Sequence, residues 1–171
     1  MLDSFLQLAV LTVFPAAMVM AALSDVLTMT ISNRLTVGLA LAFFVIAPLS
    51  GMSLEAMAFH AAAGLVMLVI GIALFAPGWI GGGDAKVLAA TALWLGWGPM
   101  PYYVAVATLS GCLLTIALLT FRGVPLPSWV DGSPWVARLH RADNGAPYCV
   151  ALAFAGLVAY PSSWWFTVAG L

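Results

Sequence analysis

Charged residues are so sparse along this chain that they divide it into apolar stretches more cleanly than any periodicity does. Residues 4–24 carry no charge and are long enough to cross a bilayer, and residues 35–54 follow Arg34 and end before Glu55. A third stretch covers about 57–76, where Pro77 and Gly78 stop it, and a fourth, shorter one runs over 81–98 from a run of glycines. Pro99 and Pro101 then predict a tight turn, and a fifth stretch covers about 102–121. After a polar connection over 122–147, the last runs over 148–171. At ~20 residues per crossing, the pattern predicts an all-α polytopic membrane protein of about six transmembrane helices, with residues 1–171 forming a single membrane-embedded domain.

Cytoplasmic connections accumulate Lys and Arg, which tests this order independently. Arg34 lies between helices one and two, Lys86 at the join of three and four, and Arg122, Arg138 and Arg141 between five and six. The basic residues all fall in alternate connections, while the other side receives Asp3, Glu55 and the proline turn. Both the N- and C-termini are therefore expected on the non-cytoplasmic side. The first helix lacks the basic flank of a secretory signal and its apolar stretch is longer than a signal core, so it is expected to be retained. Trp79, Trp94, Trp97, Tyr102, Tyr103, Trp164 and Trp165 cluster near predicted helix ends and read as anchors in the headgroup layer. Residues 129–141 set Trp135, Val136 and Leu139 beside Arg138, His140 and Arg141, which predicts a short surface helix ended by Asn144 and Gly145. That helix either anchors on anionic lipid or docks a substrate.

Composition narrows the classes of function. A chain 64% hydrophobic and 6% charged, with mean hydropathy +1.13, is no soluble domain; the lipid bilayer is its medium. Five basic and six acidic side chains leave a net charge of -1 and no clustered basic surface, which excludes nucleic acid as a partner. Cys112 and Cys149 stand singly, without zinc or disulfide spacing, and read as inert packing residues. His60, toward the outer end of the third helix, and His140, in the cytoplasmic connection, fall on opposite sides and cannot share a site. No Gly-x-Ser-x-Gly elbow and no His-Glu-x-x-His pair occurs, so serine hydrolase and zinc protease chemistry find no support. The sequence calls for no metal and no organic cofactor.

Two acids remain to be explained, because a carboxylate at mid-membrane costs ~2.5 kcal/mol or more on the insertion scale, less toward the interface. Asp25 ends the first helix and Asp84 begins the fourth, both on the cytoplasmic side and at similar depth. Solvation explains Asp3, Glu55, Asp131 and Asp143. A carboxyl pair in a partly dry site suits amide hydrolysis: repulsion and desolvation keep one acid protonated, and the ionised one activates a water. Either acid can take either part, and their titrations are coupled. Gly81, Gly82 and Gly83 remove side chains where a substrate backbone would approach and permit non-helical turns. They also fit a loosened hairpin, or close helix packing through Gly78 and Gly82. Asp84 is placed to cap the fourth helix. A phosphate loop over 81–86 fails, since Val87 stands where a Ser or Thr should follow Lys86. Lys86 reads as a positive-inside anchor that could pair with an acidic substrate side chain.

Gly81, Gly82, Gly83 and Asp84, continued by Lys86, Trp94, Leu95 and Gly96, fit a Gly-x-Gly-Asp motif. Asp25 with Ile31 and Asn33 resembles an Asp followed by Ile-Pro-Asn, with Ser32 in place of proline. Pro147 and Tyr148 resemble a Pro-Tyr-Gly element, with Cys149 in place of glycine. In this order the set resembles the type IV prepilin peptidases, and specifically the short single-domain form of tight-adherence (Flp-type) pilus systems, over nearly the whole chain. The resemblance implies an aspartic endopeptidase of the bacterial inner membrane. It would remove the short basic leader from prepilin and pseudopilin precursors at the cytoplasmic face, generally after a glycine. It implies Asp25 and Asp84 as the catalytic pair, with Gly81, Gly82, Gly83, Lys86 and Asn33 about the active-site loop. Larger relatives carry a four-cysteine cytoplasmic insertion after the first helix and N-methylate the new terminus. No insertion stands between Asp25 and Arg34, so peptidase activity without a zinc site or methyltransferase activity is expected. Three other readings are a presenilin-like intramembrane protease, a small transporter or proton relay using paired carboxylates, and an assembly component whose acids pair with Arg34 and Lys86.

Overall fold

A computed structural model describes residues 4–126, 133–141, 143 and 145–170, and all regular structure among them is helical. The helices are α1 (Ser4–Thr28), α2 (Asn33–Leu49), α3 (Leu54–Phe75), α4 (Gly82–Leu95), α5 (Met100–Arg122), α6 (Pro134–His140), α7 (Cys149–Ala159) and α8 (Trp164–Ala169). Of these, α1, α3 and α5 are long and apolar enough to cross a membrane. The 14 residues of α4 reach only about 21 Å at ~1.5 Å per residue, short of a ~30 Å hydrocarbon core.

Local chemistry sets the boundaries. Ser32 caps α2 by accepting the Arg34 N–H at 3.2 Å, and Ser53 caps α3 by accepting that of Ala56 at 3.2 Å. The second apolar stretch therefore ends at Leu49 rather than at residue 54, because the chain turns at Gly51 with φ +83° and restarts from Ser53. Pro101 does not sit in a separate turn: it occupies the first turn of α5, where its missing N–H is no loss. The last stretch is not one helix. Pro161 falls in a 3-10 turn, Tyr160–Ser162, that divides α7 from α8. The surface helix predicted over 129–141 is α6, starting at Pro134; Trp129 and Asp131 lie outside the described residues, as do Asp3 and Asn144.

Side-chain pairings fix how the helices run. Thr91 donates to the Met18 sulfur and Phe14 packs on Trp94, so α4 runs antiparallel to α1. Tyr160 donates to the Val10 carbonyl at 2.7 Å and Gln7 to that of Ala169 at 2.7 Å, so α7 and α8 also run against α1. The six segments α1 to α5 and α7 alternate in direction, and the centre of the bundle is α4, ten of whose residues are buried.

Trp94, Trp165 and Tyr103 are not interfacial anchors as their positions suggested; each is wholly buried. Trp94 donates its indole N–H to the Leu39 carbonyl at 2.9 Å, and Trp165 donates to that of Trp94 at 2.7 Å. In an apolar medium an unpaired indole N–H is expensive, so these bonds let the rings pack inside the bundle. Trp79, Trp97 and Tyr102 remain exposed, as anchors require. Leu65, Leu109, Leu113 and Leu119 are exposed too, giving the bundle the apolar exterior of a membrane protein.

Of the two glycines expected to let helices approach, a Cβ on Gly82 would meet Phe75 of α3 at an ordinary 3.4 Å and Gly78 does not take part; the tightest contacts lie elsewhere. Gly78 faces open space, whereas a Cβ on Gly71 would lie 2.9 Å from that of Ala85, and one on Gly64 3.1 Å from that of Leu93. Backbone contact between α3 and α4 therefore holds the buried helix in register. Replacing Gly71 by Val is expected to destabilise the protein by about 1–3 kcal/mol through overpacking, read as a lower unfolding temperature in detergent. Gly38→Ala, which meets nothing within 4 Å, should leave that temperature unchanged or raise it.

Candidate active site

Asp25 lies in the last turn of α1 and Asp84 is the third residue of α4, and at the common end of these antiparallel helices both are buried, with 7% exposure each. Each carboxylate takes up an N–H that a helix start leaves without a partner. Asp84 Oδ2 accepts the Gly81 N–H at 3.1 Å, the cap expected of it. Asp25 Oδ2 accepts the N–H of Cys149, the first residue of α7, at 3.0 Å, although 124 positions separate the two. One carboxylate oxygen of Asp25, one of Asp84 and the Cys149 sulfur all lie within 4.8 Å of one another. Asp84 Oδ1 is buried without a hydrogen-bond partner.

The acids border a cavity of about 440 Å³ at this end of the bundle. Its other walls are the α1–α2 turn at Met29, Thr30 and Ile31, the glycines 81–83, Arg138 of α6, and Gly145 and Ala146 before α7. The turn is sharp: Met29 has φ +53°, and Ser24 and Thr28 both donate to the Thr30 carbonyl. It delivers Ile31 against the start of α4, where a Cβ on Gly83 would lie 3.0 Å from Ile31 Cδ1. Gly82 and Gly83 are helical and none of the three glycines has positive φ, so no unusual turn requires them; Gly83 is the one pressed against another element. Lys86 donates to the Asn33 side-chain oxygen, tying α4 to the start of α2 beside the cavity; neither residue lines it.

Two arginines tie backbone carbonyls together at this end of the bundle. Arg138 donates to the Leu27 carbonyl at 2.6 Å, and Arg122 binds the carbonyls of Leu139 at 2.8 Å and Gly145 at 2.9 Å. The histidines serve structure: His60 Nδ1 meets the Leu93 carbonyl at 2.9 Å, and His140 Nε2 that of Val124 at 2.8 Å. A Cβ on Gly96, which ends α4 at φ +69°, would strike the His60 ring.

Asp25, Asp84 and the three glycines thus lie around one cavity, while Lys86 and Asn33 lie beside it. Three contributions were not foreseen: the Cys149 N–H, Arg138 at the rim, and the wall made by Met29 and Thr30. Cys112 and Cys149 do not share one packing role, since Cys112 is exposed and Cys149 is buried against the acids. The adjacent Pro147 and Tyr148 were the available signal: Tyr148 occupies the space left by Gly111 on α5, and this contact seats the start of α7.

The sequence profile of the type IV leader peptidase family matches residues 12–116 of this chain. Over 58 residues the chain is 40% identical to the prepilin leader peptidase/N-methyltransferase of Pectobacterium carotovorum subsp. carotovorum, a stretch covering 34% of this chain and 21% of that relative. The match thus spans about a fifth of the relative's length. No solved structure matches the chain significantly.

The contact of Ile31 with Gly83 predicts a compensating pair. Gly83→Ala is expected to lower the unfolding temperature, and Ile31→Ala to lower it by loss of packing. Combined, they should be less harmful than their sum by at least about 0.5 kcal/mol; additive losses in a double-mutant cycle count against the contact.

Proposed function

This chain belongs to the type IV leader peptidase family, and on that footing we propose that it is a membrane aspartic endopeptidase that cleaves the basic leader from type IV prepilins and pseudopilins of the Flp type. The observation that carries this reading is the buried pair Asp25 and Asp84, with oxygens within 4.8 Å, at the edge of a cavity open at one end of the bundle. One acid takes a proton from a water between them, and the resulting hydroxide adds to the scissile carbonyl carbon while the other acid protonates the carbonyl oxygen. As the adduct collapses, the C–N bond breaks, one hydroxyl proton returns to the acid that had protonated the oxygen, and the proton held by the base passes to the leaving amine. Gly81, Gly82 and Gly83 let the extended substrate backbone lie against the start of α4, and Lys86 with Asn33 holds that start in place.

Residues 1–171 act in this proposal as one peptidase domain of six alternating segments in the inner membrane, the short α4 being buried among the others, with both termini outside and the acids at the cytoplasmic face. The alternating helix directions and the distribution of Lys and Arg support that orientation. Between Asp25 and Arg34 stand eight residues, taken up by the end of α1 and its tight turn. A peptidase without N-methyltransferase activity follows from the lack of any insertion there. A proton relay would need a polar route onward from the acids. The opposite end of α4 is instead plugged by the buried rings of Phe14, Phe43, Trp94, Tyr160 and Trp165. The position of the acids at the end of the bundle, not its middle, argues against presenilin-like cleavage within a span.

Co-expression with a candidate prepilin in membranes, with the leader followed by mass, is expected to show cleavage by the native protein. Asp25→Asn and Asp84→Asn should each reduce it by ~100-fold or more, while the Asn oxygen still accepts the N–H of Cys149 or Gly81 and insertion persists. Full cleavage by either variant removes that residue from the mechanism. For topology, a cysteine introduced at Arg141 should react with an impermeant thiol reagent in inside-out vesicles and stay unlabelled in intact cells.

A further inference from the structure

The proposed hydrolysis uses Cys149 only through its backbone N–H, which leaves its side chain without a part. That side chain is wholly buried, and its sulfur shares a 4.8 Å cluster with one oxygen each from Asp25 and Asp84. Asp84 is 93% buried, and while its Oδ2 accepts the Gly81 N–H, its Oδ1 is hidden from solvent with no hydrogen-bond partner. A buried carboxylate oxygen without a donor is costly; a proton shared between the two acids, a water from the adjoining cavity or a bound cation each relieves it. The donors sit on three separate elements, α1, α4 and α7, and ligation at metal–ligand distances of about 2.0–2.3 Å would draw those helix ends together. Two carboxylate oxygens alone would suit magnesium or calcium, but a thiolate beside them selects a softer ion.

We propose that Asp25, Asp84 and Cys149 form a three-ligand site for a thiophilic divalent cation of the zinc class, with water from the adjoining cavity in the fourth position. Three protein ligands and one water is the arrangement of an open zinc site. On binding, the Cys149 S–H loses its proton to solvent and a metal–sulfur bond forms, with no change of oxidation state. Both carboxylates then hold the metal, and neither remains free to accept or donate a proton to substrate, so occupancy is a reversible block of the site. Binding stands on the geometry alone; the block rests on the peptidase reading.

Cadmium is the probe, because its thiolate bond gives an ultraviolet charge-transfer band. Titrated into the full chain in detergent, Cd²⁺ should bind once per chain and give the band. The Cys112→Ala protein, in which Cys149 is the remaining thiol, should keep both. Cys149→Ala, or Cys149→Ser where helicity by circular dichroism is better kept, should lose the band. Asp84→Asn should weaken binding by at least about tenfold, the lower end of what even outer partners of a metal contribute. Zn²⁺ should displace Cd²⁺ and Mg²⁺ should not. Absence of the band in the Cys112→Ala protein, its persistence without Cys149, or undiminished affinity in Asp84→Asn overturns the site. Run alongside, the prepilin assay separates the two claims. Stoichiometric Zn²⁺ with undiminished cleavage overturns the block, whereas a bound metal with no cleavage under any condition counts against the peptidase reading and leaves the site standing.

Discussion

The fold depends on finding partners for two carboxylates that the surrounding apolar helices cannot solvate. Asp25 is the harder case, since it sits at the C-terminal end of α1, where the exposed carbonyls of a helix are unfavourable to an anion. The remedy comes from a distant part of the chain: α7 begins beside it and supplies the N–H of Cys149, together with the positive end of its own dipole. Asp84 is served by the start of its own helix through Gly81. Two helix N-termini therefore converge on two acids, and this convergence sets where α1, α4 and α7 meet.

Once those ends are fixed, the rest of the bundle follows from packing. In an apolar medium there is little hydrophobic force between helices, so close backbone contact and internal hydrogen bonds must hold them. The contacts of Gly64 and Gly71 with α4 give the first, and the indole bonds of Trp94 and Trp165 to backbone carbonyls give the second. Being short, α4 can be buried along most of its length, with its polar start at one end and the aromatic plug at the other. The result is a bundle accessible at the end that carries the acids and closed at the end that carries the rings.

Much of this is legible in the sequence, for a definite reason. With so few charges, each one carries information, so the apolar segments, the helical class and the two acids stand out from composition and order alone. Interactions that need a partner far along the chain do not. The bond from Cys149 to Asp25 is flagged locally only by Pro147 and Tyr148, which do not name its partner, and the choice of Trp94 and Trp165 for the interior has no signature at all, because an aromatic residue near a helix end looks the same whether it faces headgroups or another helix. The break at Pro161 and the turn at Gly51 were visible as residue types, but in a segment so uniformly apolar their weight against helix continuation depends on packing that the sequence does not display.

Position 149 shows how backbone and side chain can be separated in one residue. The N–H that holds Asp25 is available from any residue but proline, glycine included. What cysteine changes is the volume and chemistry beside the acids: a polarisable sulfur stands where glycine would leave space. A side chain at 149 therefore leaves the anchoring of the acid untouched while deciding what else the site can hold. Its effects lie in the packing beside the acids and in that choice of occupant, while the backbone bond to Asp25 persists in either case.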